Sequence, residues 1–64
     1  MITLTRLDQR VIVVNAELIK MIEATPDTII SLINGDTILV REAVDEVVRR
    51  AVDYARQIRG FQVV

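Results

Sequence analysis

The side chains able to do acid–base or covalent work are few. The 64-residue chain has no histidine and no cysteine, which removes the commonest general base, the thiolate nucleophile and every imidazole or thiolate metal site. What remains is one serine, one lysine, one tyrosine and scattered carboxylates. Ser31 stands mid-strand between Ile30 and Leu32 with no base at hand to activate it, and Lys20 reads as a solvated strand residue. Glu42, Asp45 and Glu46 lie near one another in helical spacing and could ligate a divalent ion through oxygen. The same three suit the N-terminus of a helix dipole and ion pairing, Asp45 with Arg49 and Glu46 with Arg50, and that is the role we expect of them. The two glycines, Gly35 and Gly60, are absorbed by a turn and a helix stop, so no phosphate-cradling loop exists. These residues argue against an enzyme, a bound metal and a cofactor.

Charge and hydropathy narrow the class further. Eight basic and nine acidic residues give a formal charge of −1, so no long-range field pulls in nucleic acid or an anionic membrane. The chain is 52% hydrophobic, yet its longest uninterrupted apolar run is Val11 to Val14. A membrane-spanning helix needs about 18 such residues or more. No basic region with an apolar block follows Met1, and the lack of cysteine fits a reducing compartment. The expectation is a soluble cytoplasmic protein of one domain, residues 1–64.

The periodicities define the elements that would position any site. Ile2 and Leu4 alternate with Thr3 and Thr5, a half-buried strand over residues 2–7. Asp8, Gln9 and Arg10 separate it from a second strand at 11–14. Asn15 could cap a helix carrying Leu18, Ile19 and Ile22; the reading preferred here is a short turn at 15–17 and a strand at 18–24. In "TPDT", Pro26 and Asp27 suit the centre of a type I turn, returning the chain into a strand at 28–33. Asn34-Gly35 predicts a two-residue type I′ hairpin and a strand at 37–40. The period then changes: Val44, Val47, Val48, Ala51, Ala55 and Ile58 fall at helical spacing, predicting a helix over about 42–59 that Gly60 stops. The fold class expected is α+β, a small five-stranded, mainly antiparallel sheet or partly open barrel followed by one amphipathic helix.

These strands are apolar on both sides. Val11 and Val13 oppose Ile12 and Val14, and Ile29 and Ile33 oppose Ile30 and Leu32, whereas a single helix shields one face of a sheet. Three resolutions are open: the sheet curls into a barrel, a second copy packs on the bare face, or another protein does. The apolar residues Phe61, Val63 and Val64 beyond the expected helix stop add to this surplus. A homo-oligomer is expected.

Two resemblances bear on function. "LTR" in the first strand, the Arg41-Glu42 junction and a C-terminal helix resemble the order of the CsrA type of small RNA-binding regulator. That likeness implies RNA contacts at Leu4, Arg6 and Arg41, but the middle of the chain does not follow it. "MITLTRL", "NAELI", "IEATPDTIISLING" and "EAVDEVVRRAVDYARQI" together resemble the FlbD/SwrD family of small bacterial flagellar proteins, over nearly the whole chain. This resemblance implies a non-enzymatic accessory of motility or swarming that raises motor power through stator function, with a flagellar motor component as partner and no cofactor. Contact candidates are the turn Thr25, Pro26, Asp27 and Thr28 and the helix surface of Arg49, Arg50 and Arg56.

Overall fold

The computed structural model describes the backbone of residues 1–24 and 26–63 and the side chains of 1–24 and 26–58. Strands β1 (Ile2–Thr5) and β2 (Val11–Val14) form one antiparallel hairpin in which Ile2 faces Val14 and Leu4 faces Ile12. Strands β3 (Ile19–Ala24), β4 (Thr28–Leu32) and β5 (Thr37–Val40) form a second antiparallel sheet in the order β3-β4-β5. Helix α1 (Val44–Val63) closes the chain. The class is α+β, as the periodicities predict, but the five strands do not share one sheet.

The reason lies on the free edge of β1. The Thr5 N–H donates to Glu42 Oε1 at 2.9 Å and the Thr3 carbonyl accepts from Arg50 Nη1 at 2.6 Å. With those groups occupied by the approach to α1 and its second turn, β5 can reach β1 only at a corner. There an isolated bridge joins Arg6 to Val40, and the Arg41 N–H donates to the Thr5 carbonyl at 2.8 Å.

Inward-facing residues of both sheets meet at the core. Ile2, Leu4 and Val14 come from the hairpin, Ile30 and Val40 from the three-stranded sheet, and Val47 from α1; all six are buried. Ile12, Ile19, Ile22, Leu32, Ile38 and Tyr54 pack around them. Ile19 and Ile22 reach the same side despite odd spacing because a bulge between Ile19 and Met21 shifts the register of β3. The opposite faces stay bare: Val11 and Val13 are 66% and 65% exposed, and Met21, Ile33 and Leu39 are also exposed. Among the described residues the two-sided apolar pattern is thus answered on one side only.

Several expected boundaries move, each for a local reason. The strand predicted over 2–7 ends at Thr5, because the Gln9 N–H donates to the Arg6 carbonyl at 3.0 Å and the Arg6 N–H to the Arg10 carbonyl at 2.8 Å. This is a three-residue loop whose last residue, Gln9, has φ of 76°. The loop after β4 repeats it. Gly35 donates to the Leu32 carbonyl at 3.0 Å and Leu32 to the Asp36 carbonyl at 2.8 Å, with Gly35 at φ 96°. The expected two-residue type I′ turn at Asn34-Gly35 is therefore incorrect, since Asn34 lacks the positive φ that turn demands. The strand expected to end at Ile33 ends at Leu32. In both loops an acidic or amide side chain braces the turn: Asp8 Oδ1 accepts from the Arg10 N–H at 3.1 Å, and Asn34 Oδ1 from the Asp36 N–H at 3.0 Å.

The segment after β2 is a single 3₁₀ turn, Ala16–Leu18, in which the Asn15 side chain caps the Glu17 N–H at 3.1 Å. Strand β3 accordingly starts at Ile19 rather than Leu18. Helix α1 begins at Val44 rather than Glu42, whose carboxylate serves β1 instead. It continues through Gly60 to Val63. A glycine inside a helix costs only about 1 kcal/mol relative to alanine and does not by itself end one. Phe61 and Val63 thus belong to the helix backbone; their side chains, and Val64, lie outside the described residues. The inward stripe of α1 runs Val44, Val47, Ala51, Tyr54 and Ile58, whereas Val48 and Ala55, expected inside, are exposed with Val52.

Candidate partner-binding groove

Three connections meet at one end of the molecule because the strands are in register there. Val40 pairs with Thr28 on one side and is bridged by Arg6 on the other. That alignment stacks the β3–β4 turn, the β5–α1 junction and the β1–β2 loop side by side. Between them lies an open groove of ≈ 580 Å³ whose lining includes Leu7, Pro26, Asp27, Arg41, Val44 and Asp45. Leu7, 40% exposed, also borders a smaller hollow of ≈ 240 Å³ with Arg6, Asp8, Thr37 and Leu39. The lining mixes apolar side chains with charges of both signs, which suits an apolar anchor flanked by polar contacts.

The predicted contact residues divide accordingly. Pro26 and Asp27 are exposed on the groove, while Thr25 lies outside the described residues. Thr28, expected on the turn surface, is only 7% exposed at the start of β4, though it too borders the groove. Arg6 and Arg41, inferred from the RNA-binding resemblance, do come together as backbone neighbours at the corner. Leu4, their expected companion, is wholly buried among the core residues and cannot touch a ligand. Sequence reasoning misses Leu7, whose place on the groove arises only where Val40 brings the two sheets together.

The helix arginines serve the fold. Arg50 Nε donates to Glu46 Oε2 at 2.7 Å, and its Nη1 reaches Glu42 Oε2 at 3.4 Å besides the Thr3 carbonyl. Arg49 pairs with Glu46 at 2.6 Å and Asp53 at 2.9 Å, so the expected Asp45–Arg49 pair gives way to these, while the expected Glu46–Arg50 pair forms. Arg56 is exposed on the same helix. Hydrogen bonds from Arg49 and Arg50 hold the Glu46 carboxyl down at about 2. Burial pushes Glu42 up, but the Thr5 N–H, its own N–H and the Arg50 charge outweigh it, leaving the group below its ordinary value. Glu42 and Glu46 thus face Arg50 rather than an open ion site. Among the described residues no cluster of three metal-ligating side chains occurs, and no helix is long and apolar enough to cross a membrane.

No curated protein and no solved structure matches the chain. The sequence profile of FlbD, described as flagellar and swarming motility proteins, matches residues 1–59, which takes in both sheets, the groove and most of α1. The resemblance carried by "MITLTRL" and "IEATPDTIISLING" is therefore more than local, and the chain belongs to the FlbD family of flagellar and swarming motility proteins.

Proposed function

We propose that the protein is a non-catalytic accessory of the flagellar motor that docks a motor or stator component at the cytoplasmic side and thereby supports motor power. The observation that carries the reading is the convergence of three loops, distant in sequence, on one groove around the half-exposed Leu7. Affinity at such a site comes from a few anchors rather than from total area. Pro26 and Asp27 fix one wall, and Arg41 and Asp45 set the charge of the other. The helix arginines are less suited to docking, because Arg49 and Arg50 already satisfy carboxylates of their own helix.

The test is a chromosomal Leu7→Asp substitution with swarming and tethered-cell torque as readouts. The side chain is outside the core, so the protein should accumulate normally while swarming and torque fall toward those of a deletion strain. Normal torque in the deletion strain would remove the motor role altogether. Normal torque in a Leu7→Asp strain, with the deletion strain impaired, would move the docking surface away from the groove.

A further inference from the structure

Of the four edge strands of the two sheets, β1 is met by Glu42, Arg41 and Arg50 and β5 is bridged to Arg6 at the corner, whereas β3 and β2 face outward with different protection. Strand β3 carries the exposed Lys20 within its bulge, both of them devices that discourage another strand from pairing. Strand β2 carries neither: its sequence is Val-Ile-Val-Val, its register with β1 is unbroken, and among the described residues β1 is its only ladder partner.

The direction of its backbone groups follows from the ladder. Arg6 and Arg10 are hydrogen-bonded to each other, and in an antiparallel pair such positions alternate. Leu4 with Ile12 and Ile2 with Val14 are then the bonded pairs, while Thr5, Val11, Thr3 and Val13 aim their N–H and C=O groups away from the hairpin. The β1 side agrees: the Thr5 N–H goes to Glu42, the Thr5 carbonyl to Arg41 and the Thr3 carbonyl to Arg50. Nothing comparable meets Val11 or Val13 among the described residues.

The geometry points to self-pairing: β2 of one copy adds antiparallel to β2 of a second copy about a two-fold axis at Ile12. In that register Val11 faces the partner's Val13, and the outward N–H and C=O groups of both residues are all satisfied. Side chains opposite each other in a ladder share a face, so Ile12 meets the partner's Ile12 on the inner face and the exposed valines join into one cross-strand cluster on the outer. Shifting the register by one residue would set an outer valine against an inner side chain. The seam spans a strand and its flanks, well below the roughly 20–30 residues a side of a standard interface, so a reversible dimer is expected.

Sedimentation equilibrium of the purified protein across the micromolar range should show a mass rising from 7.3 kDa toward twice that value. A mass fixed at a single chain throughout would overturn the proposal. The Val13 N–H faces outward, so Val13→Pro leaves the β1–β2 ladder intact and should yield a folded monomer. A folded Val13→Pro dimer would also refute the seam. If that variant does not fold, amide exchange in the unmodified protein decides. The Val11 and Val13 amides should gain protection as concentration rises, while Ile12 and Val14 stay protected at every concentration. Protection of Val11 and Val13 that is independent of concentration, or that appears only when a different protein is added, would assign the edge elsewhere and reject self-pairing.

Discussion

Removing the Glu42 carboxylate tests whether the approach to α1 is what holds the hairpin against the second sheet. Its side chain is 12% exposed; Oε1 accepts the Thr5 N–H at 2.9 Å and Oε2 lies 3.4 Å from Arg50. A hydrogen bond to a charged partner contributes about 1.5–3 kcal/mol, and the longer Arg50 contact adds little. In Glu42→Ala the part-buried Thr5 N–H loses its acceptor, so destabilisation of about 2 kcal/mol is expected. For a domain of this size each kcal/mol moves the midpoint by about 4–8 °C, so the Ala variant should melt roughly 8–16 °C lower by circular dichroism. Glu42→Gln keeps an acceptor for Thr5 and should lose about half as much. An Ala variant melting within about 2 °C of the parent would refute the reasoning. So would a Gln variant as damaged as the Ala variant.

Other perturbations have equally definite outcomes. Gln9 occupies the left-handed position that Gly35 holds in the second loop, so Gln9→Gly should stabilise by about 1 kcal/mol and Gly35→Ala destabilise by a similar amount, both read from thermal melts; a Cβ at Gly35 meets nothing within 4 Å, which leaves backbone strain as the cause. Leu4→Ala should cost about 2–5 kcal/mol, enough to unfold much of the population in a urea titration at room temperature. The Glu46 carboxyl, ordinarily near 4.5, is lowered to about 2 in the fold. Its contribution is therefore complete above pH 4.5 and lost as pH falls toward 2, and Glu46→Gln should flatten the acid limb of the stability profile over that window.

Much of the local structure was legible in the chain because it follows from period. The apolar run after a polar triplet placed β2, and the chain following the Asn34-Gly35 turn placed β5, at the observed residues, while helical spacing found α1 with Val47 on its inward stripe. The partition into two sheets was not legible, because it depends on Glu42 and Arg50 capping the β1 edge from 37 and 47 residues away. The turn at Asn34-Gly35 misled for a related reason: its dipeptide suits a two-residue loop, but the register set by Thr28 opposite Val40 makes Leu32 and Asp36 the closing pair, with three residues between them. As for the groove, Pro26 and Asp27 could be found from their turn chemistry and Arg41 from its place at a strand end. Leu7 could not, since its role arises only where Val40 aligns the two sheets.

Docking of a flagellar motor component in the groove around Leu7 is open to direct test by in-cell photocrosslinking. A photoreactive residue replaces Leu7 in one strain and Ile33, exposed at the opposite end of β4, in another. An adduct with a motor or stator protein is expected from position 7 and none from position 33. An adduct with that protein from position 33 alone, or no flagellar adduct from position 7 in cells that swarm normally, would contradict it.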